Sequence, residues 1–140
     1  MCTDILVIIY KGIKMKNKML GMSILTVALS FTSFVKADNE VMMQAAGQEI
    51  FKKCSACHSA DASKNTFGPS LVGVINRKAA SLPRFAYSEA LKKSGLTWTE
   101  ANLRRWVAGN DILVPGTRMR HVQITDVAEQ NYLLAYLKSL

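Results

Sequence analysis

The stretch "CSACH" at residues 54–58 constrains this chain more than any other feature, because Cys54 and Cys57 lie three apart and His58 follows directly. Three kinds of site use such a spacing. A dithiol for thiol–disulfide exchange expects a strand before the motif and a βαβ context. A zinc site would have to recruit His121, the only other histidine. In a c-type haem site, each thiol forms a thioether with a vinyl group and the adjacent histidine binds the iron.

The residues before the motif favour the haem site over the dithiol. Gly47, Ile50, Phe51 and Cys54 recur at i, i+3, i+4 and i+7, which predicts a helix rather than a strand. The rest of the chain is predicted to form short helices separated by irregular loops. Such a domain needs something inside to pack against, and a large, flat, apolar cofactor would serve.

Three helix starts are predicted from capping residues. Ser88 precedes one short helix, and Thr97 with Glu100 forms a capping box for a second helix that should end at Gly109. Thr125 is the predicted cap of the last helix.

Residues 15–37 have the pattern of an export signal. Lysines precede an uncharged run at 19–35, and Val35 and Ala37 occupy the −3 and −1 positions of a small-residue cleavage site. We therefore expect a cleaved signal peptide whose true start is Met15. The alternative is an uncleaved anchor, although the run of 17 residues is shorter than the roughly 20 that a spanning helix needs.

The predicted domains are thus a leader at 1–37 and a mature domain at 38–140. The leader holds five of the 18 basic residues and one of the 10 acidic ones, so the net charge falls from +8 to +4. Without a basic stripe interleaved with aromatics, we expect no nucleic-acid binding. Cys2 belongs to the leader, so both cysteines of the exported domain lie in the motif.

A haem iron bound by His58 on one side raises the question of what lies on the other. The mature domain has three methionines, of which Met42 and Met43 lie on the helix that leads into the motif. Met119 follows Pro115 and Gly116, which predict a sharp turn that could hold a thioether in place. The alternative is that Met119 only fills the core.

The mature chain resembles the class I cytochromes c, in particular their c2-type and mitochondrial-like branch. The resemblance covers essentially all of residues 38–140 and rests on "GQEIFKKCSACH", "FGPSLVGVINR", "FAYSEALKKSGLTWTEANLRRWVAGN", "VPGTRM" and "NYLLAYLK". It implies an all-α cytochrome c fold, in which four to five short helices wrap around one covalently bound haem c. Gly47 and Phe51 would pack against Leu133 and Tyr136 where the first and last helices cross.

The resemblance also implies roles for individual residues. Cys54 and Cys57 would attach the haem, and His58 and Met119 would bind its iron. The carbonyl of Pro69 would accept a hydrogen bond from His58. Donors to the haem propionates would be Arg77, Tyr87, Trp98 and Thr117. The alternatives are surface contacts for the arginine and the tyrosine, and an ordinary core position for Trp98.

Four positions depart from the family pattern. Trp106 replaces a tyrosine that hydrogen-bonds the ligand sulfur, and Leu91 replaces an asparagine, so redox tuning here is an open question. His121 replaces an aromatic residue, and we interpret it as an exposed loop residue. Its alternative role is to replace Met119 as ligand when the loop loosens. Arg118 replaces a lysine and stays protonated, so it cannot bind iron.

The function implied by the resemblance is that of a periplasmic monohaem carrier, not an enzyme, that shuttles single electrons between respiratory partners. Expected partners are a quinol–cytochrome c reductase and a terminal oxidase or reductase, with the carrier itself a monomer. Membrane contact would occur only through these partners or an uncleaved leader. The alternatives are a membrane-anchored subunit at the periplasmic face of the inner membrane, and a haem peroxidase or gas sensor with a labile distal ligand. A basic docking rim would comprise Arg84, Lys92, Lys93, Arg104, Arg105, Arg118 and Arg120.

Overall fold

The computed structural model describes the backbone of residues 21–140 and the side chains from Ala37 onward. The predicted start at Met15 and the beginning of the predicted leader lie outside the described residues. Residues Asp38–Leu140 form one compact unit. The described helices are α1 (Gly21–Ser55), α2 (Glu89–Lys93), α3 (Glu100–Leu113) and α4 (Val127–Ser139).

The described part of the chain contains no strand, only an isolated antiparallel bridge between Lys78 and Thr97. This confirms the all-α class predicted from the sequence. The first helix, with 35 residues, is much longer than predicted. Within the same residues, no helix combines the length and the apolar character needed to cross a membrane.

Helices α1 and α4 cross at Gly47, as the resemblance to class I cytochromes c implies. A Cβ added to Gly47 would lie 2.0 Å from the carbonyl oxygen of Tyr132, so the two backbones can approach this closely only at a glycine. One turn further on, the ring of Phe51 lies with its centroid 5.0 Å from that of Tyr136. Leu133 is only 2% exposed beside them, which makes this crossing part of the core.

The cap of α2 is the predicted Ser88, whose hydroxyl accepts a hydrogen bond from the backbone N–H of Leu91 at 3.2 Å. The cap predicted for α4 is wrong by one residue. Asp126 rather than Thr125 accepts from the N–H of Glu129 at 2.8 Å. A carboxylate at this position also interacts favourably with the positive end of the helix dipole.

The cap predicted for α3 is wrong by two residues. Thr99, not Thr97, accepts a hydrogen bond from the N–H of Asn102 at 3.2 Å. Thr97 is held in the extended bridge to Lys78, and its carbonyl accepts from the side-chain amide of Asn102 at 2.8 Å. A residue fixed in this bridge cannot also begin the helix.

Helix α3 breaks at Gly109, where the sequence predicts its end, but the helix then resumes. Gly109 has extended backbone angles, with φ −177° and ψ 82°, and helical geometry continues from there to Leu113. The break leaves Asn110 buried, with its side-chain amide directed at the loop that follows.

Two long segments outside the helices complete the domain, at residues 56–88 and 114–126. The first joins α1 to α2 and the second joins α3 to α4. Both segments line one cavity, so the residues that surround it come from distant parts of the sequence.

Candidate haem-binding site

One cavity of about 510 Å³ lies inside the domain and collects every site residue predicted from the sequence. These ten lining residues are Cys54, Cys57, His58, Pro69, Arg77, Tyr87, Trp98, Trp106, Thr117 and Met119. The structure therefore brings the "CSACH" motif and the "VPGTRM" segment to the same site. The role of each residue toward a haem stays a prediction.

The two cysteines lie at the end of α1 and in the turn that follows it. The backbone N–H groups of Cys57 and His58 both donate to the carbonyl of Cys54, at 3.0 and 2.9 Å. This tight turn brings both sulfurs to the same cavity, and both cysteines are free thiols. Burial raises the pKa of the Cys54 thiol, which disfavours the thiolate that a dithiol exchange site requires.

The imidazole of His58 is buried and held in one orientation. Its Nδ1 lies 2.8 Å from the carbonyl oxygen of Pro69. A carbonyl can only accept, so Nδ1 carries the hydrogen and Nε2 keeps its lone pair for a metal. Burial lowers the pKa of His58, the bond to Pro69 raises it, and the charge of His121 lowers it. The net lowering favours the neutral imidazole that binds iron.

Gly68 forms the support behind this imidazole, and the sequence reasoning missed it. A Cβ added to Gly68 would lie 2.4 to 2.9 Å from three atoms of the His58 ring. Only glycine lets the loop backbone pass this close to the histidine. The Gly-Pro pair at residues 68 and 69 could have indicated this close approach, but the sequence analysis assigned a role only to Pro69.

Met119 is half-buried on the same cavity and is held at two points. The indole Nε1–H of Trp106 donates to its sulfur at 3.3 Å. The side-chain amide of Asn110 donates to its carbonyl at 2.8 Å. Relatives have a tyrosine at the position of Trp106 that donates a hydrogen bond to the ligand sulfur. The indole N–H of Trp106 makes the equivalent bond here. Asn110 was missed, although a polar residue directly after a helix-breaking glycine was a usable signal.

Arg77 lines the cavity and braces the loop that carries Pro69. Its two terminal nitrogens donate to the carbonyls of Val72 and Ser70, at 2.8 and 2.9 Å. Guanidinium has five N–H groups, so donors remain for another acceptor. Burial lowers the pKa of Arg77. These contacts place the arginine in the wall of the cavity rather than on the open surface.

The other three predicted propionate donors are also at least half-buried. Burial raises the pKa of the Tyr87 hydroxyl, so this group stays protonated and able to donate. Trp98 is buried, and its ring meets that of Trp106 edge to face with centroids 5.0 Å apart. Thr117 is buried at the start of the loop that carries Met119.

His121 differs from the expectation of an exposed loop residue. Its ring is half-buried and lines the cavity. Nδ1 donates to the carbonyl of Val122 at 2.8 Å, whereas Nε2 is buried without a hydrogen-bond partner in the described part of the chain. The reason for the difference is that the loop after Met119 turns back against the cavity.

The donor set and the walls of the cavity fit a haem c and not a zinc ion. No three His, Cys, Asp or Glu side chains among the described residues lie close enough to hold a metal ion by themselves. Two free thiols, an oriented imidazole and a thioether do line the cavity, which suits a haem attached through two sulfurs. The apolar lining includes Leu71, Val74, Leu91, Leu103, Val107, Ile124, Leu133 and Leu137.

Comparison with known proteins agrees with this geometry. The family model for cytochrome c matches residues 44–140. This chain belongs to the cytochrome c family. The matched region includes all four groups predicted to hold the haem, from Cys54 to Met119.

Individual relatives of this cytochrome c are bacterial. It is 46% identical over 93 residues to cytochrome c2 of Rhodoblastus acidophilus, covering 66% of this chain and 87% of that protein. It is 37% identical over 122 residues to cytochrome c-554 of Methylosinus trichosporium, covering 85% and 92%. The solved structure of cytochrome cH from Methylobacterium extorquens matches with a TM-score of 0.64 and 44% identity, over 69% of this chain and 97% of that one.

Family membership confirms several predictions made from the sequence. The resemblance to class I c-type cytochromes is correct, and so is the small all-α fold. One covalently bound haem c is the cofactor of this cytochrome c. Its function is electron transfer with redox partners rather than enzymatic catalysis.

Proposed function

We propose that this cytochrome c is a periplasmic carrier that shuttles single electrons between respiratory partners, and that His58 and Met119 would bind its haem iron. One observation carries the proposal. The imidazole and the thioether line the same cavity, and each is fixed by its own hydrogen bond, from His58 to Pro69 and from Trp106 to Met119. A carrier needs such fixed ligands because little should then rearrange when the electron is transferred.

The haem would be held through thioethers to Cys54 and Cys57, and it supplies an iron that changes between Fe(III) and Fe(II). The protein determines which state is favoured. The thioether of Met119 is a soft ligand that raises the reduction potential. The N–H of Trp106 directs positive charge at that sulfur, and the apolar walls disfavour the extra charge of Fe(III). The hydrogen bond from His58 to Pro69 acts in the opposite direction, because it makes the imidazole a stronger donor.

The half-buried polar residues of the cavity would serve the haem propionates. A carboxylate is costly to bury unless it is hydrogen-bonded or paired with a cation. Arg77 retains unused N–H groups, and the Tyr87 hydroxyl stays protonated. With Trp98 and Thr117, they line the same cavity and would provide the required donors.

The mouth of the cavity offers a surface for transient docking. Lys53, Lys78, Arg118 and Arg120 are exposed cations that line it, and they include two members of the predicted basic rim. Phe67 and Val122, 91% and 76% exposed, add apolar contacts. Such a surface suits acidic partners, for which we propose a quinol–cytochrome c reductase and a terminal oxidase or reductase. The resulting complexes should weaken as salt is added.

The other five residues of the predicted rim do not line the cavity. They are Arg84, Lys92, Lys93, Arg104 and Arg105. We therefore place the docking surface around Lys53 and Lys78, which the sequence reasoning did not include, and around the two loop arginines.

The test of ligation is an optical spectrum of the oxidised, haem-loaded protein. A far-red iron–methionine charge-transfer band is expected in the unchanged protein and should vanish in Met119→Leu. If the band survives that change, Met119 is not the ligand. If instead the band of the unchanged protein is lost when a small ligand such as cyanide is added at low concentration, the result favours the peroxidase or gas-sensor alternative. Haem should stay on the chain in a denaturing gel and be lost from the Cys54→Ala/Cys57→Ala variant.

The proposed location is tested by mass spectrometry of the protein recovered from the periplasm. The leader pattern at residues 15–37 supports export, and a mature chain beginning at Asp38 is the expected result. Recovery in the membrane fraction with the leader intact would support the anchored alternative.

A further inference from the structure

His121 is arranged as a metal ligand that the proposed function does not use. Its Nδ1 donates to the carbonyl of Val122 at 2.8 Å, so the neutral ring carries its hydrogen there. Nε2 therefore bears the lone pair, and it is buried without a hydrogen-bond partner in the described residues, in a side chain that lines the haem cavity. A buried acceptor without a partner is unfavourable, and ligation of a metal would satisfy it.

The loop around His121 is fixed at both ends and free in the middle. On one side, Asn110 holds the carbonyl of Met119. On the other, Gln130 donates to the carbonyl of Ile124 at 2.9 Å. Within the described part of the chain, no hydrogen bond joins residues 120–123 to another element. His121 can therefore move over a short distance while both ends of the loop stay in place.

We propose that His121 is a reserve axial ligand, whose Nε2 binds the haem iron when the thioether of Met119 leaves it. The proposal rests on the proposed function, because it takes Met119 as the resident ligand. In the exchange, the iron–sulfur bond breaks and an iron–nitrogen bond forms. The oxidation state of the iron does not change, and the neutral tautomer with its hydrogen on Nδ1 has no proton to release from Nε2.

The exchange would change what the carrier can do. Methionine raises the reduction potential of haem, so replacing sulfur by a second imidazole lowers it. The protein with two histidine ligands would thus be a poorer electron acceptor, while its iron stays six-coordinate and closed to small ligands. His58 and His121 are the only histidines in the chain, so a second imidazole ligand from the protein can only be His121.

The experiment compares three variants of the haem-loaded, oxidised protein by electron paramagnetic resonance and optical spectroscopy. Met119→Ala should give a low-spin signal typical of two imidazole ligands. Met119→Ala/His121→Ala should instead be high-spin. His121→Ala alone should keep the far-red methionine band, which also shows that the protein folds without this histidine. Free imidazole should bind Met119→Ala at least ~10-fold more weakly than it binds the double variant, because His121 competes for the same position.

Three outcomes would overturn the proposal. In the first, Met119→Ala is already high-spin and binds imidazole as tightly as the double variant. In the second, the double variant stays low-spin, which would assign the position to another donor such as a lysine. In the third, the unchanged protein lacks the methionine band and His121→Ala alters its low-spin signal. That result makes His121 the resident ligand and refutes the proposed ligation by Met119 itself. If the alanine variants fold poorly by circular dichroism, His121→Phe replaces His121→Ala in both backgrounds.

Discussion

The hydrogen bond from Trp106 to Met119 predicts a definite shift in reduction potential when it is removed. In Trp106→Phe, the indole N–H that lies 3.3 Å from the sulfur is lost. An aromatic ring remains in the cavity wall and can still contact Trp98, whose centroid lies 5.0 Å away. The N–H directs positive charge toward the ligand sulfur, which disfavours Fe(III). Its removal should therefore favour Fe(III) and lower the potential.

The size of the shift follows from the energy of such a bond. A neutral hydrogen bond contributes about 0.5–1.5 kcal/mol net, and only the part that differs between the two iron states changes the potential. We take this part as about 0.5–1 kcal/mol. Because a tenfold change in a one-electron equilibrium is 59 mV, or about 1.4 kcal/mol, the potential should fall by roughly 20–45 mV.

The assay is a spectroelectrochemical titration of the unchanged protein and two variants at one pH and one ionic strength. Trp106→Phe removes the donor, whereas Trp106→Tyr keeps a donor on an aromatic ring and serves as the matched control. The tyrosine variant should lie closer to the unchanged protein. The far-red methionine band must be present in all three, so that only the hydrogen bond differs between them. A phenylalanine variant that keeps this band and titrates at the original potential would refute the reasoning.

Three further predictions concern other contacts. In Gly68→Ala, the new methyl group would displace the ring of His58, so we expect an altered low-spin signal and a loss of about 1–3 kcal/mol in chemical denaturation; an unchanged signal would contradict this. Gly47→Ala should cost at least about 2 kcal/mol in the same assay, because its Cβ would overlap α4, and equal midpoints would contradict that close approach. Hydrogen bonds from Ser63 hold the pKa of Asp61 at about 2, below its ordinary 3.8. The stabilisation from Asp61 is therefore fully present above pH 3.8 and is lost as the pH falls toward 2. Ser63→Ala should raise the pKa of Asp61 in an NMR titration, and an unmoved pKa would contradict this assignment.

The sequence predicted those parts of the site that are set by local chemistry. Cys54, Cys57 and His58 lie within five residues of one turn, so their spacing alone predicts that all three side chains face the same cavity. The position of Met119 could be proposed because the mature domain offers few methionines. Gly68 and Asn110 were missed because their roles depend on what faces them across the cavity, His58 in one case and Met119 in the other.

The helix caps also show that a local sequence pattern does not reveal contacts between distant residues. Thr97 and Thr99 are chemically equivalent, and the capping-box pattern favoured the first. The structure uses the second because Thr97 is bridged to Lys78, a contact between residues far apart in the sequence. Local patterns thus located the helix to within two residues, and tertiary contacts decided its boundary.

Trp106, Leu91 and His121, three of the positions that depart from the family pattern, together affect how firmly Met119 is held. The indole of Trp106 can only donate, and Leu91, buried in the same cavity, provides no polar partner for it. The sulfur of Met119 is thus its acceptor in the structure, and this bond helps to keep the thioether in place. His121 lines the same cavity, and within the described residues its Nε2 has no hydrogen bond that would hold it in place. The balance between the two ligands should therefore depend on the hydrogen bond from Trp106, since weakening it lowers the cost of displacing Met119 and leaves His121 unaffected.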